Sequence, residues 1–432
     1  MTRPFAWLAA SLAIVASAVL VACGGDSGDA ASAPPAVTIK SAGANPVSYW
    51  NEIASATINQ PASAGGTPEE ARPNNAVDLA TVHVAIYDAV MAIAQTYKPY
   101  AIVPAAPSDG ASQEAATAAA AYGVLKGLFP SRSATYQTAY DTAVAAIADG
   151  TARSRGLALG AEVAGKILTL RANDGRSVAY PTFVSGTSPG QFRAATNPVG
   201  RENPYVRPFV VAGVSQFRAP GPPALTSAAY AADVNETKAL GAATSATRTD
   251  AQTEIARFHT EAPPLFWSRN LRTFATTSAS LADQARLMAM VWVTQADAAD
   301  TCFESKYTYL AWRPSSAITL DGDGNAATTA DPAWTPVVPT PNHPEYPAAH
   351  GCVSGAMAEI LRLYYGTDSV TFDFTSTVTS STHHFTSLGA LVDEVTTARI
   401  AGGMHFRSAL VDGAALGRNV AQWVAGHAFQ KR

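Results

Sequence analysis

The chain reads as an all-α helical bundle of one large domain, with long irregular loops. Three observations predict this. Apolar residues recur at helical spacing in segment after segment, as in Val77, Leu79, Val82, Ile86, Val90 and Ile93. No stretch sustains the two-residue alternation of a half-buried strand. The composition is 47% hydrophobic and only 14% charged, which suits packed helices rather than disorder.

The elements follow in order. Tyr49, Trp50, Ile53, Ala54 and Ile58 predict a first helix. Arg72 to Thr96 predicts a second, stopped before Pro99. His83 and Tyr87 are four apart on it and share a face, with Asp88 beside them; a buried structural histidine is the favoured reading there. Ser112 is placed to cap an alanine-rich helix to Leu128, and further helices run over Thr135–Ala148 and Ser154–Ala172. Tyr180 to Pro223 has no period and is rich in Pro, Gly, Phe and Arg, so it predicts a long surface connection that helps wall a site. Helices resume at Ser227–Leu240 and Asp250–His259, and the longest periodic run is Leu281 to Arg313. Asp321-Gly322-Asp323-Gly324-Asn325 lacks the rest of a calcium loop and reads as a polar turn. His383-His384 without an HExxH gives no support for zinc.

With 29 Lys+Arg against 33 Asp+Glu, the chain has no electrostatic footprint for nucleic acid. No nucleotide-binding glycine motif follows a strand. Arg3, the apolar stretch Phe5–Val21 and the run Leu20-Val21-Ala22-Cys23-Gly24 resemble a bacterial lipoprotein signal, so residues 1–22 are expected to be removed and Cys23 lipidated. Residues 23–45 then form a flexible tether. The expected location is the bacterial cell envelope, with membrane contact only through that lipid. The folded domain spans 46–432, its N-terminal half 46–225 and its C-terminal half 226–432. The other two cysteines, Cys302 and Cys352, are either bonded or two buried thiols.

The chemistry concentrates between Cys302 and His405. Lys306 and Arg313 are seven apart, nearly two helical turns, so an unbroken helix would project both cations from one face. Such a pair can neutralise an anion with several oxygens. Pro347-Ala348-Ala349-His350-Gly351 is a turn of small residues leading into a helix; its N–H groups favour an anion and His350 can act as acid or base. Arg399 and His405 would diverge on an unbroken helix, but Gly402-Gly403 lies between them and is expected to break it and turn both side chains to one point. Together the three clusters point to an oxyanion site.

In this order, Lys-x6-Arg-Pro, Pro-small-small-His and Arg-x5-His resemble the vanadium-dependent haloperoxidases, which share their site with type 2 phosphatidic acid phosphatases and bacterial class A acid phosphatases. Trp50 to Ala54, His83 to Ala89, Ser305 to Tyr309 and Asn342 to Pro347 are similar to bacterial members, and the likeness covers most of residues 46 to 427. It implies a helical bundle that holds vanadate, in a site phosphate can also occupy. His405 would be the vanadium ligand. Lys306, Arg313, Arg399 and the Ala349 N–H would bond the oxyanion oxygens, and His350 would be the acid/base. The implied co-substrates are hydrogen peroxide, a halide and a small organic molecule; a homodimer is left open. His343 occupies a position on the substrate rim that weakly favours bromide or iodide.

Two departures from the family pattern stand out. Ala348 replaces the usual serine, and losing one hydrogen bond to a charged group costs about 1.5–3 kcal/mol. The aspartate expected four residues after the last histidine is Ala409, with Asp412 three residues on. Its absence counts against an efficient phosphatase, which would attack phosphorus through His405. A third alternative is a non-catalytic oxyanion-binding envelope lipoprotein.

Overall fold

A computed structural model describes residues 45–58, 75–194, 196–261, 263–275 and 280–432, and the backbone of 37–38. The expected signal segment, Cys23 and most of the expected tether lie outside the described residues. The fold is mostly helical, as the periodicity predicts. In chain order the long helices are α1 (Pro46–Ile58), α2 (Asn75–Ala94), α3 (Gln113–Leu128), α4 (Ser133–Ala145), α5 (Thr151–Arg171), α6 (Ala228–Gly241), α7 (Asp250–Phe258), α8 (Pro263–Leu271) and α9 (Leu281–Tyr309). After them come α10 (Pro314–Thr319), α11 (Ala349–Tyr365), α12 (Leu388–Ala401) and α13 (Arg407–His427).

Local chemistry sets many of these boundaries. Ser112, Ser227, Ser280 and Ser387 each accept a bond from an N–H in the first turn of α3, α6, α9 and α12. Thr249 and Gln252 form a reciprocal capping box on α7. α2 is buried on nearly every side, which explains why its sequence is apolar all round. His83 on this helix is fully buried, 3.0 Å from the Asn51 side-chain amide and stacked near Trp292. Burial pushes its imidazole down to about 3, so it is a neutral packing element.

Two features differ from the expectation. The run from Leu281 does not continue through Arg313. α9 stops at Tyr309, Leu310 takes a left-handed conformation (φ 49°), and Arg313 is the extended residue before α10. The physical reason is Pro314: it pushes the preceding residue out of helical conformation and is itself suited to a helix start. Lys306 and Arg313 therefore do not share a helix face. The second difference is an antiparallel hairpin of β2 (Val370–Thr375) and β3 (Thr382–Phe385), in register Phe372 with Phe385. Its first strand does alternate, burying Val370, Phe372 and Phe374. β1 (Val37–Thr38) pairs parallel to β2.

The Tyr180–Pro223 connection holds no α-helix or strand, only turns, a short 3₁₀ segment at Asn203–Tyr205 and an isolated bridge of Gln191 with Ala311. It is held by Asp297 on α9, whose carboxylate accepts from the N–H groups of Phe209, Val210 and Val211 at 2.7–3.1 Å. The turn at Asp321–Asn325 is polar as expected, with the Asn325 amide donating to Leu225 and Ser227 carbonyls.

α9, α11 and α12 carry Lys306, His350 and Arg399, and α13 begins two residues after His405. α11 and α13 approach closely because glycines face backbone across the contact: a side chain at Gly355 would strike Ala414, and one at Gly417 would strike Cys352. α9 is tied to α11 by a disulfide between Cys302 and Cys352, with Cα atoms 6.2 Å apart. The bond closes a loop of 50 residues, which corresponds to about 4 kcal/mol of stability in the chain-entropy model. Replacing both cysteines by alanine is expected to lower unfolding free energy by about 2–5 kcal/mol in urea titrations, and reduction of the parent protein should reproduce the loss.

Candidate active site

The two loops that follow α9 and α12, and the start of α11, converge on one point. Lys306 sits in the last turn of α9 and is fully buried. Its Nζ donates to the carbonyls of Pro344 (2.8 Å) and Glu345 (3.0 Å), which leaves one of its three N–H groups for a ligand. Arg313 is buried just beyond the chain reversal at Leu310. Its Nε donates to the His343 carbonyl (2.7 Å) and its Nη1 to that of Met404 (2.9 Å). The same Nη1 lies 3.0 Å from His405 Nε2, and Nη2 lies 3.0 Å from His343 Nδ1.

Arg399 ends α12, also buried, with Nη1 donating to the His259 carbonyl (3.2 Å) and Nε without a partner. The helix breaks after Ala401, and Gly403 adopts a positive φ of 74°. Its backbone can therefore turn where other residues would be strained, and this turn delivers His405 to the site. His350 and Ala349 occupy the first turn of α11, where backbone N–H groups have no intrahelical acceptor. Both line a cavity of about 430 Å³ together with His343 and Arg399. Ala348 is the buried N-cap of α11 and offers no side-chain donor.

Sequence reasoning missed Glu345. Its buried carboxylate lies 3.0 Å from His405 Nδ1 and also accepts from the N–H of Phe406 (3.0 Å). An arginine can only donate, so Nε2 of His405 accepts and Nδ1 carries the proton. Glu345 thus does what the missing aspartate at Ala409 was expected to do. Asp412 has another task, accepting from the Tyr346 hydroxyl at 2.6 Å. The objection to an oriented His405 falls, because the orienting acid comes from the second motif instead of from four residues downstream. The available signal was a lone acid inside the His343–His350 motif of an otherwise cationic site.

Charge decides what the site can hold. Lys306, Arg313 and Arg399 face one carboxylate, Glu345. Burial and its cationic neighbours, Arg313 and Arg399, hold Lys306 well below the ordinary lysine range. Burial lowers Arg313 to about 10, and burial with Arg313 lowers Arg399 to about 9. Burial, with cationic neighbours, also keeps His343, His350 and His405 well below the usual imidazole range. Glu345 is raised to about 7 by burial, partly offset by hydrogen bonding and by the cations. Three buried cations against one acid leave an excess of positive charge that an oxyanion removes. The donors match such a ligand: the spare Lys306 N–H, the unpartnered Arg399 Nε and the helix start at Ala349. His405 Nε2 carries a lone pair that accepts from Arg313 Nη1 at 3.0 Å and would bond a metal centre in exchange for that hydrogen bond. The residues present therefore fit vanadate, and equally fit phosphate as a simple anion. Among the described residues, no three His, Cys, Asp or Glu side chains gather as a cage for a bare cation. His383 and His384 point apart, His383 to Glu254 and Glu394 and His384 to Asp373.

Comparison with known proteins agrees with this geometry. Residues 286–431 match the family model of the vanadium chloroperoxidase second helical-bundle domain. The vanadium chloroperoxidase of Curvularia inaequalis is 31% identical over 123 residues, 24% of this chain and 20% of that protein, so the match spans a fifth of that relative's length. A solved bacterial vanadium-dependent iodoperoxidase superposes with a TM-score of 0.71 at 23% identity, covering 90% of this chain and 99% of that one. A bacterial vanadium-dependent chloroperoxidase in its holo form gives 0.66 at 17% identity, covering 81% and 90%. The structural matches show a shared fold.

Two outcomes follow for the site. Glu345→Ala is expected to weaken vanadate binding about 10–100-fold in calorimetric titration, with Glu345→Gln intermediate because its amide oxygen still accepts from Nδ1. The second concerns pH. Lys306 is depressed in the free site, and an anion beside it raises it back, so binding takes up a proton. Vanadate and phosphate affinity should therefore fall as pH rises, and heats measured in buffers of different ionisation enthalpy should report net proton uptake.

Proposed function

We propose, from the premise that this chain has the fold of the vanadium-dependent haloperoxidases and their second helical-bundle domain, that it is a vanadate-dependent haloperoxidase. The observation that carries the reading is the excess of buried cations around the oriented lone pair of His405. Bound vanadate would supply a Lewis-acidic centre that activates hydrogen peroxide toward halide. Lys306, Arg313, Arg399 and the start of α11 would hold its oxygens and balance their charge. His405 Nε2 would be the ligand, fixed in tautomer and direction by Glu345. His350, neutral before an anion binds, would accept a proton from entering peroxide and return it to the departing oxygen.

Bromide or iodide is the proposed halide. His343 stands against Arg313 with Phe303 5.1 Å away, and Ala348 removes one donor that would strengthen activation. The iodoperoxidase among the structural relatives supports the same direction. We further propose an envelope-anchored protein, from the N-terminal sequence alone.

One observation favours a second reading. The Glu345–His405 pair is also what a phosphatase needs to orient a nucleophilic histidine. The deciding experiment uses the full-length chain with vanadate, peroxide and iodide or bromide, beside a p-nitrophenyl phosphate assay. Vanadate-dependent halide oxidation is expected, lost by at least about a hundredfold in His405→Ala. Phosphatase turnover inhibited by vanadate, without halide oxidation, would transfer the site to the second reading. Silence in both assays would overturn both.

A further inference from the structure

Two histidines and two glutamates beside the site have no part in the chemistry described above, yet they form one connected group. His259 Nε2 lies 2.8 Å from Glu394 Oε1, and His383 Nδ1 lies 2.8 Å from the same oxygen. His383 Nε2 lies 2.8 Å from Glu254 Oε2. The His383 ring also stacks on Phe258, with centroids 3.7 Å apart and planes 12° apart. Three elements meet here. α7 carries Glu254 and Phe258 and is capped by His259, β3 carries His383, and α12 carries Glu394.

The group reaches the site through one backbone atom. The His259 carbonyl accepts from Arg399 Nη1 at 3.2 Å. Among the described residues, this is the carbonyl that holds the Arg399 guanidinium, whereas Lys306 and Arg313 each rest on two. His259 lies just past the last helical residue of α7, with φ −92° and ψ 26°, so helix continuation does not fix its carbonyl. Its side chain does, through the bond to Glu394. Glu394 stands five residues before Arg399 on α12. The same helix thus carries the cation and the acid that places the cation's acceptor. A closed loop of contacts runs from Arg399 to the His259 carbonyl, through the His259 ring to Glu394, and along α12 back to Arg399.

The acid is itself held. Burial alone would raise Glu394, but the bonds from His259 and His383 outweigh burial and keep it below the usual carboxylate range, so it is an acceptor at neutral pH. His383, pinned against Phe258 and Glu254, fixes its direction. A shielded polar group of this kind returns little net stability and defines one arrangement instead.

We propose that Glu394 and His259, braced by His383 and Glu254, are positioning residues for Arg399 that set its guanidinium toward the bound oxyanion. The inference rests on the oxyanion site, which both readings of its chemistry share.

The test measures phosphate binding to the full-length chain by calorimetry, with and without Arg399→Ala. Glu394→Ala is expected to weaken phosphate binding about five- to tenfold in the parent and less than about twofold beside Arg399→Ala, because the pair acts through that side chain. Glu394→Gln keeps an oxygen that accepts from His259 and is expected to recover most of the loss. His259→Phe keeps an aromatic ring and the carbonyl but removes the N–H donor. It should match Glu394→Ala in both backgrounds, and it keeps the test open should Glu394→Ala fail to fold. A loss of equal size in both backgrounds marks a general structural role and overturns the proposal, as does unchanged affinity in Glu394→Ala or His259→Phe. A parent that binds neither phosphate nor vanadate removes the oxyanion site and this proposal with it. That outcome is distinct from a parent that binds and variants that leave binding unmoved, which overturns the positioning role alone.

Discussion

Three cations buried against one carboxylate are the constraint on which the rest of this structure depends. Desolvating Lys306, Arg313 and Arg399 is costly, and the protein offsets it with dipoles as well as with charge. The carbonyls of Pro344, Glu345, His343, Met404 and His259 each accept from one of these side chains. All but that of His259 belong to the loops that bear the other site residues. Each cation therefore fixes the backbone that carries its neighbours, and the loops order the cations in return. What the carbonyls do not supply is net negative charge, and that deficit is the site's preference for an anion.

The scaffold serves that arrangement. Cys302 lies four residues before Lys306, and Cys352 two residues after His350, so their bond couples the first and second motifs directly. The glycine-lined contact between α11 and α13 sets the distance from His350 to the helix that follows His405. Glu345 closes the circuit, because it stands in the second motif and orients the histidine of the third. Its second bond, to the Phe406 N–H, also fixes the start of α13.

Polarity is divided sharply across the site. On one side donors are spoken for or aimed at an anion; on the other the wall is mostly apolar, including Val199, Phe303, Val353 and Met404. An apolar wall lowers the local dielectric and strengthens the charge interactions on the polar side.

The helical class was legible in the sequence, because apolar periodicity and serine or threonine caps are local signals. Lys306, Arg313, His350, Arg399 and His405 were legible as a group through their motifs, and the break at Gly402-Gly403 through glycine's conformational freedom. Other features were not. The helix break before Arg313 was hidden because an apolar period can run on through a turn, and only Pro314 hinted at it. The Val370–Thr375 strand was too short to stand out against its surroundings. Glu345 was missed because its partner lies 60 residues away in the chain. The sequence by itself determined which residue types were present and on what kind of element. Only the tertiary structure decided which of them meet, since burial, pairing and a shared cavity arise from contacts between distant segments.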